Sequence, residues 1–386
     1  MDNEVGEYDY AIIGGGLSGL LMAYRMVMDR RFAERTIVIF EDDQKKENDR
    51  TWCYWEEGEG EWDHILTQTW STAKVKNKEG ERSIPLESYR YKMLRSQDFY
   101  AFIECELQKH AHIIRSPRRV IKLIEDSDLV HIETADVKFK AKMVLSSVLG
   151  LHEKPIPNNE ILLKQHFGGW FIRAEQAIFN PDEVVLMDFD VKQHDGVCFM
   201  YVLPLTVHSA LVEFTVFGPS PWPMAAYEEQ MRRYLAAFQT TYTIEEKEMG
   251  SIPMTVYPFE KNSTERILYI GTAGGWTRAS TGYTFTNSCH FSKKLIDALA
   301  CEQELPAVWA WRHRMYDSVM LALIAEHPQL GVDFFMRIYR NHPIARVFRF
   351  LDGSSSVFEE ALIIGKSRPK MLLMHYVIQR LFRFRF

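Results

Sequence analysis

Apolar and polar positions divide the chain into recognisable segments. Asp9-Tyr10-Ala11-Ile12-Ile13 is a short apolar run, as a buried parallel strand requires. Glycines interrupt it, and residues 17–28 resume as an apolar helix. Thr36-Ile37-Val38-Ile39-Phe40 predicts a second strand ending at Glu41. Short strands are predicted around 73–78 and 82–85, and a helix over 94–109 with Ser96 as N-cap and Asp98 in its first turn. Residues 113–115, 120–124, 130–133 and 137–139 are strand-like, and 143–148 reads as a buried strand of the first sheet. Residues 155–260 are β-rich, with runs at 184–188, 198–203 and 210–217 and one helix over 222–238. An apolar strand at 267–270 returns to the first sheet, followed by helices over 285–300, 308–324, 331–339 and 357–364. The prediction is an α/β fold. A discontinuous Rossmann-type domain (1–154 and 261–386, ending in helices) carries an inserted β-rich substrate domain (155–260).

The glycines of the first turn have distinct tasks. Gly14, Gly16 and Gly19 fill G-x-G-x-x-G. The first permits the tight turn, the second lets a pyrophosphate approach the backbone, and the third lets helix and strand pack closely. The helix N-terminus faces the phosphates. Glu41 follows the last glycine at about the 20-residue distance expected of the acid that binds the ribose hydroxyls. Strand, helix, second strand and acid in this order make the signal specific. Residues 267–288, ILYIGTAGGWTRASTGYTFTNS, read as the returning strand and glycine-rich loop that close such a domain over a flavin.

Composition narrows the class. With 386 residues, 46% hydrophobic and 25% charged, the chain can bury one large or two interlocked cores. A net charge of -6 argues against nucleic-acid binding. The five cysteines show no metal-binding spacing and read as reduced thiols of a cytoplasmic protein. His166, His194 and His208 likewise lack ligand spacing and read as structural, so no metal is expected. The acidic N-terminus has no secretory h-region, and no apolar stretch reaches the ~18 residues of a membrane span. Residues 366–386 differ from the rest. Lys366, Arg368, Lys370, Arg380, Arg383 and Arg385 meet no acid there and alternate with aliphatic and aromatic side chains, among them Phe382, Phe384 and Phe386. Such a tail either lies on an anionic membrane surface or packs as a final helix with a solvated basic face.

Ordered pieces of the chain resemble the lycopene cyclase family of carotenoid biosynthesis. They are Thr51-Trp52, QHFGGW from Gln165 to Trp170, Met187-Asp188-Phe189, Tyr201-Val202-Leu203-Pro204-Leu205, Leu211-Val212-Glu213-Phe214-Thr215 and Ser280-Thr281-Gly282-Tyr283. The resemblance implies a glutathione-reductase-like FAD fold and redox-neutral ring closure of the apolar C40 polyene lycopene to β-carotene. It also implies a flavin active in its reduced form, with NAD(P)H as electron source. The family commonly has two adjacent acids at the Glu213 segment; here the second is Phe214. Neighbours on a strand face opposite sides, so only one of the two could meet substrate.

Cyclisation requires an acid, a dry chamber and groups that stabilise a cation. Glu213 is the candidate proton donor, or the base for the final proton, because burial and a nearby anionic flavin would raise its pKa; the alternative donor is the reduced flavin itself. Asp188 is either a second acid or a strand-end cap. Trp170, Phe199, Tyr201, Trp276, Tyr283 and Phe285 are candidates for the chamber wall, against plain core. Gly271, Gly274, Gly275 and Gly282 flank the flavin loop, where Gly271-Thr272 replaces the Gly-Asp of many related flavoproteins. Arg50 and Arg95 are possible flavin contacts or surface cations. Two further readings share the fold: a flavin oxidoreductase on a polyprenyl or other apolar substrate (reductase or hydroxylase), and a carotenoid carrier without catalysis.

Overall fold

The computed structural model describes residues 4–43, 48–151, 156–367 and 369–383. Arg368, Phe384, Arg385 and Phe386 of the basic tail lie outside them.

The first sheet forms where the apolar runs predict it. Glu4–Ile13 lies centrally and pairs in parallel with Ile37–Phe40 and Lys138–Ser146. Ile113–Ser116 extends one side, and Val130–Glu133 and Lys122–Glu125 form an antiparallel flap on the other. Ile267–Tyr269 returns beside Lys138–Ser146 in parallel, as expected of the late apolar strand. Ile12, Ile39 and Leu145 bury one face of this sheet against the helices Leu17–Met28 and Phe285–Cys301.

The second sheet runs Tyr242–Met254, Leu163–Ala174, Ser209–Gly218, Val197–Pro204, Glu183–Asp188, Thr72–Asn77, Gly80–Pro85. Its last two strands come from before residue 154 and join through a parallel pairing of Thr72–Asn77 with Glu183–Asp188. The β-rich unit is therefore not confined to 155–260. Thr72–Asn77 alternates half-buried and buried positions and needed a partner that no hydropathy pattern names. Tyr242–Met254 had no predicted counterpart. Its Glu- and Lys-rich sequence has low strand propensity, yet an edge position leaves Glu245 and Lys247 in water, while Glu246 and Glu248 are half-buried.

Each face of the second sheet has its own cover. Helix Met224–Ala236 packs Tyr227, Met231 and Leu235 on one face, against Trp170, Phe214 and Val216. On the other, Leu211, Phe199 and Phe217 meet Met320, Phe334 and Phe335 of helices Trp311–Glu326 and Gly331–Asn341. Helices Ile344–Asp352, Val357–Lys366 and Lys370–Arg383 complete the C-terminal layer. A small sheet of Thr51–Glu57, Tyr89–Arg95 and Gln68–Trp70 stands between the two large ones. Helix Ser96–Leu107 begins one residue earlier than its predicted cap implies: Arg95 is the N-cap residue, and Ser96 Oγ accepts the Arg50 N–H (3.1 Å). Among the described residues, no single helix is long and apolar enough to cross a membrane.

Candidate functional site

One cavity of about 830 Å³ connects the two large sheets. Gly16, Leu17 and Ser18 line it at the first glycine turn, Glu213 and Glu248 in the second sheet, and Ile364 and Met374 in the C-terminal helices.

The glycine turn has the shape a dinucleotide needs. Gly14 has φ +97, a left-handed conformation that favours glycine. A side chain at Gly19 would place its Cβ 1.9 Å from the Gly14 carbonyl oxygen, so helix and strand approach closely because it has none. A Cβ at Gly16 would meet nothing within 4 Å, leaving open space above the helix N-terminus. Glu41 closes the turn, accepting the Gly15 N–H (2.7 Å) and the Asp43 N–H (3.0 Å). The late loop is similarly constrained. Gly271 and Gly275 adopt φ +61 and +76, and Trp276 N–H donates to the Gly271 carbonyl (2.8 Å). Gly274 packs onto the backbone, its Cβ position 2.1 Å from the Tyr269 carbonyl oxygen. Gly282, at φ +69, lies over Gln165, whose Oε1 is buried and finds no hydrogen-bond partner among the described residues. Open space at Gly16, the helix N-terminus and the unmet acceptor at Gln165 fit a bound FAD.

The chemistry-bearing row lies across the second sheet. Gly169 pairs with Glu213 on one neighbour and with Glu248 on the other, and Tyr201 pairs with Glu213. Residues opposite one another share a face. Glu248, Glu213 and Tyr201 therefore all point into the cavity. Glu213 is 6% exposed and accepts a hydrogen bond from the Thr215 hydroxyl. Burial first, and repulsion from Glu248 second, push its carboxyl well above the ordinary range. Glu248 is raised to about 7, chiefly by burial; the Thr51 hydroxyl, donating at 2.7 Å, and the Arg95 charge oppose the rise. The Tyr91 hydroxyl lies 2.6 Å from that of Tyr201 and 2.9 Å from that of Tyr283.

A model of the family described as lycopene cyclase protein matches residues 9–375. The chain belongs to the lycopene cyclase family. No curated protein matches it as a relative. Solved structures share its fold. A geranylgeranyl bacteriochlorophyll reductase-like protein of Thermoplasma acidophilum has TM-score 0.61 at 12% identity, over 97% of this chain and 98% of that one. The flavin-dependent brominase Bmp2 has 0.61 at 13%, over 98% and 100%. The p-nitrophenol 4-monooxygenase PnpA of Pseudomonas putida DLL-E4 has 0.55 at 13%, over 98% of each. The chain thus has the α/β architecture of the FAD-dependent flavoenzymes, with a helical C-terminus.

In this lycopene cyclase family member the structure sorts the remaining candidates. Tyr201, Tyr283, Phe199 and Phe285 line the cavity. Trp170 does not: it sits one residue beyond Gly169 and so points to the opposite face, into the core under helix Met224–Ala236. Trp276 packs against Phe291 in the core of the nucleotide domain (ring centroids 5.9 Å). Asp188 shares a register row with Met200 and Phe214 and is likewise turned from the cavity. It accepts from the Tyr234 hydroxyl (3.1 Å) and Lys76 (3.4 Å) and caps the Asp190 N–H (2.9 Å). Phe214, where the family commonly has a second acid, stacks on Trp222 on that same far face (5.8 Å). Arg50 is exposed at the cavity rim, whereas Arg95 is buried over the Phe171 ring (4.0 Å) and paired with Glu246. His166 meets the Tyr227 hydroxyl (2.7 Å), His194 the Trp222 ring and His208 the Ala174 carbonyl. Sequence reasoning passed over Glu248, Tyr91 and Thr51 as cavity groups. Glu248 lies within the acidic run Glu245-Glu246-Lys247-Glu248, where nothing but strand register distinguishes one acid from the next.

Proposed function

We propose that this protein is a lycopene β-cyclase, closing the ψ end groups of lycopene to β-rings and giving β-carotene through γ-carotene. Glu213 carries the reading: a carboxyl buried in a large, mainly apolar-lined cavity, its pKa raised well above the ordinary range by that burial. Its proton passes to the terminal alkene of an end group and leaves a tertiary carbocation. The internal double bond attacks the cation to close the ring, and loss of a ring proton completes the β end. The rings of Tyr283, Phe199 and Phe285 offer π faces to the cation and help exclude water. Gly14, Gly16, Gly19 and Glu41 would hold FAD at one end, with Gly271, Gly274, Gly275 and Gly282 at the other. When bound and reduced, FAD supplies negative charge beside the cation, with NAD(P)H as its proposed reductant.

The same reading seats the protein peripherally on the cytoplasmic face of an anionic membrane, where an apolar polyene resides. Met371, Met374 and Ile378 form an exposed stripe on helix Lys370–Arg383, with Met371 89% exposed. Leu373, Met374 and Val377 of that helix also line the cavity. Lys366 and Lys370 flank the stripe with positive charge. Expression in a lycopene-accumulating host, followed by pigment analysis, tests the activity. Cyclic carotenes are expected; persistent red lycopene beside folded, flavin-loaded protein overturns the reading. NAD(P)H consumed in proportion to product would mark an oxidoreductase instead.

A further inference from the structure

The row Glu248–Gly169–Glu213 contains two carboxyl groups separated by one strand that carries no side chain at the intervening position. At about 4.8 Å per strand, their backbones stand ~10 Å apart. A Cβ on Gly169 would press on Glu248 Cγ and Leu211 Cδ1, both at 3.1 Å, so even alanine would crowd the gap. The preceding Gly168 faces the other way, admitting Tyr227 of helix Met224–Ala236 to 2.8 Å from its Cβ position. The two glycines of QHFGGW thus have different tasks, and Gly169, without a side chain, lets Glu248 lie across it toward Glu213, with Oε1 3.4 Å from where a Cβ would stand.

We infer that Glu248 is the base that removes the ring proton, opposite Glu213 as the acid, with the end group held in the cavity against both carboxyls. This rests on the cyclase reading above. The surroundings divide the roles. Glu248 has the Thr51 hydroxyl and the positive charges of Arg95 and Arg50 to favour its carboxylate, with Glu246 and Glu213 opposing. Glu213 has the Thr215 hydroxyl alone, and Glu248 repels its charge. The protons balance. Glu213 gives H⁺ to the alkene and becomes a carboxylate. The new C–C bond moves the positive charge into the ring. The electron pair of one ring C–H bond becomes the ring double bond as its proton goes to the Glu248 carboxylate. Glu248 then returns a proton to Glu213, and no electrons leave the substrate.

The test uses the full-length, flavin-loaded protein with lycopene in vesicles, under conditions where the unaltered protein forms β-rings. Glu248→Gln is expected to lower β-ring formation by ~100-fold or more, with flavin content retained and with Glu248→Asp recovering part of the rate. Rings with a displaced double bond would likewise support the inference, because they report a cation that forms and loses its proton elsewhere. Glu248→Gln at the unaltered rate overturns it while the cyclase reading stands. If the unaltered protein leaves lycopene untouched, the cyclase reading itself falls and takes this inference with it. Thr51→Val decides the matter should Glu248→Gln fail to fold. Loss of the hydroxyl raises the Glu248 pKa, so the rising limb of the pH–rate profile moves to higher pH; a limb that stays in place counts against Glu248 as base.

Discussion

The hydroxyls of Tyr91 and Tyr201 lie 2.6 Å apart and join the small sheet to the second large sheet at the cavity wall. Tyr91 also reaches the Tyr283 hydroxyl on the late glycine-rich loop (2.9 Å), so one phenol connects three parts of the fold. Tyr91→Phe removes both contacts and leaves two polar groups short of a partner. The expected loss is ~1–3 kcal/mol of unfolding free energy, read from the urea midpoint. An unchanged midpoint would show that water replaces the phenol without cost.

Glu213→Gln separates chemistry from stability. The amide oxygen can still accept the Thr215 hydroxyl, and burial already disfavours the charged carboxylate. Folding and flavin content should be retained, while cyclisation falls by ~100–10,000-fold. Retained activity would remove Glu213 from the role of proton donor.

Glu248 gives stability a pH dependence of known sign. Its carboxyl is raised from 4.5 in the unfolded chain to about 7 in the fold. The folded state therefore holds a proton that the unfolded chain releases, a contribution present below pH 4.5 and lost as pH rises through 7. Glu248→Gln should flatten this part of the slope, so the variant gains stability relative to the unaltered protein between pH 5 and pH 8 in paired urea titrations. Parallel curves would place the titration elsewhere.

Gly16 and Gly19 should respond oppositely to alanine. Gly16→Ala meets no protein atom within 4 Å and should preserve the melting temperature, yet lower flavin affinity at least ~tenfold because the methyl occupies the pyrophosphate's space. Gly19→Ala sets a Cβ 1.9 Å from a carbonyl oxygen and should destabilise the fold by several kcal/mol, on the order of an overpacked core. Flavin absorbance and thermal melts on the two variants check both.

Asp317 holds the buried Arg278 guanidinium through the Nε–H (2.9 Å to Oδ2). Asp317→Asn leaves that cation without its counter-charge and should cost ~3–5 kcal/mol. A smaller loss in the denaturation curve would mean that the guanidinium finds other compensation.

The sequence by itself determined the nucleotide half of this protein. The apolar runs at residues 10–13 and 37–40, the glycines at 14, 16 and 19 and the acid at 41 lie close together along the chain, so local sterics and hydrophobicity specify their geometry. It also singled out Glu213 and foresaw that Phe214 faces away, because strand alternation is a local rule. Tertiary structure alone decided which other groups share the cavity. Glu248 comes opposite Glu213 only through two strand pairings across Gly169, and Trp170 and Asp188 are turned away by the same register. Tyr91 enters from a separate sheet, and Thr72–Asn77 crosses the expected domain boundary to find its partner. Pairing between distant strands depends on which edges meet when the core closes, and no periodicity within one segment encodes that.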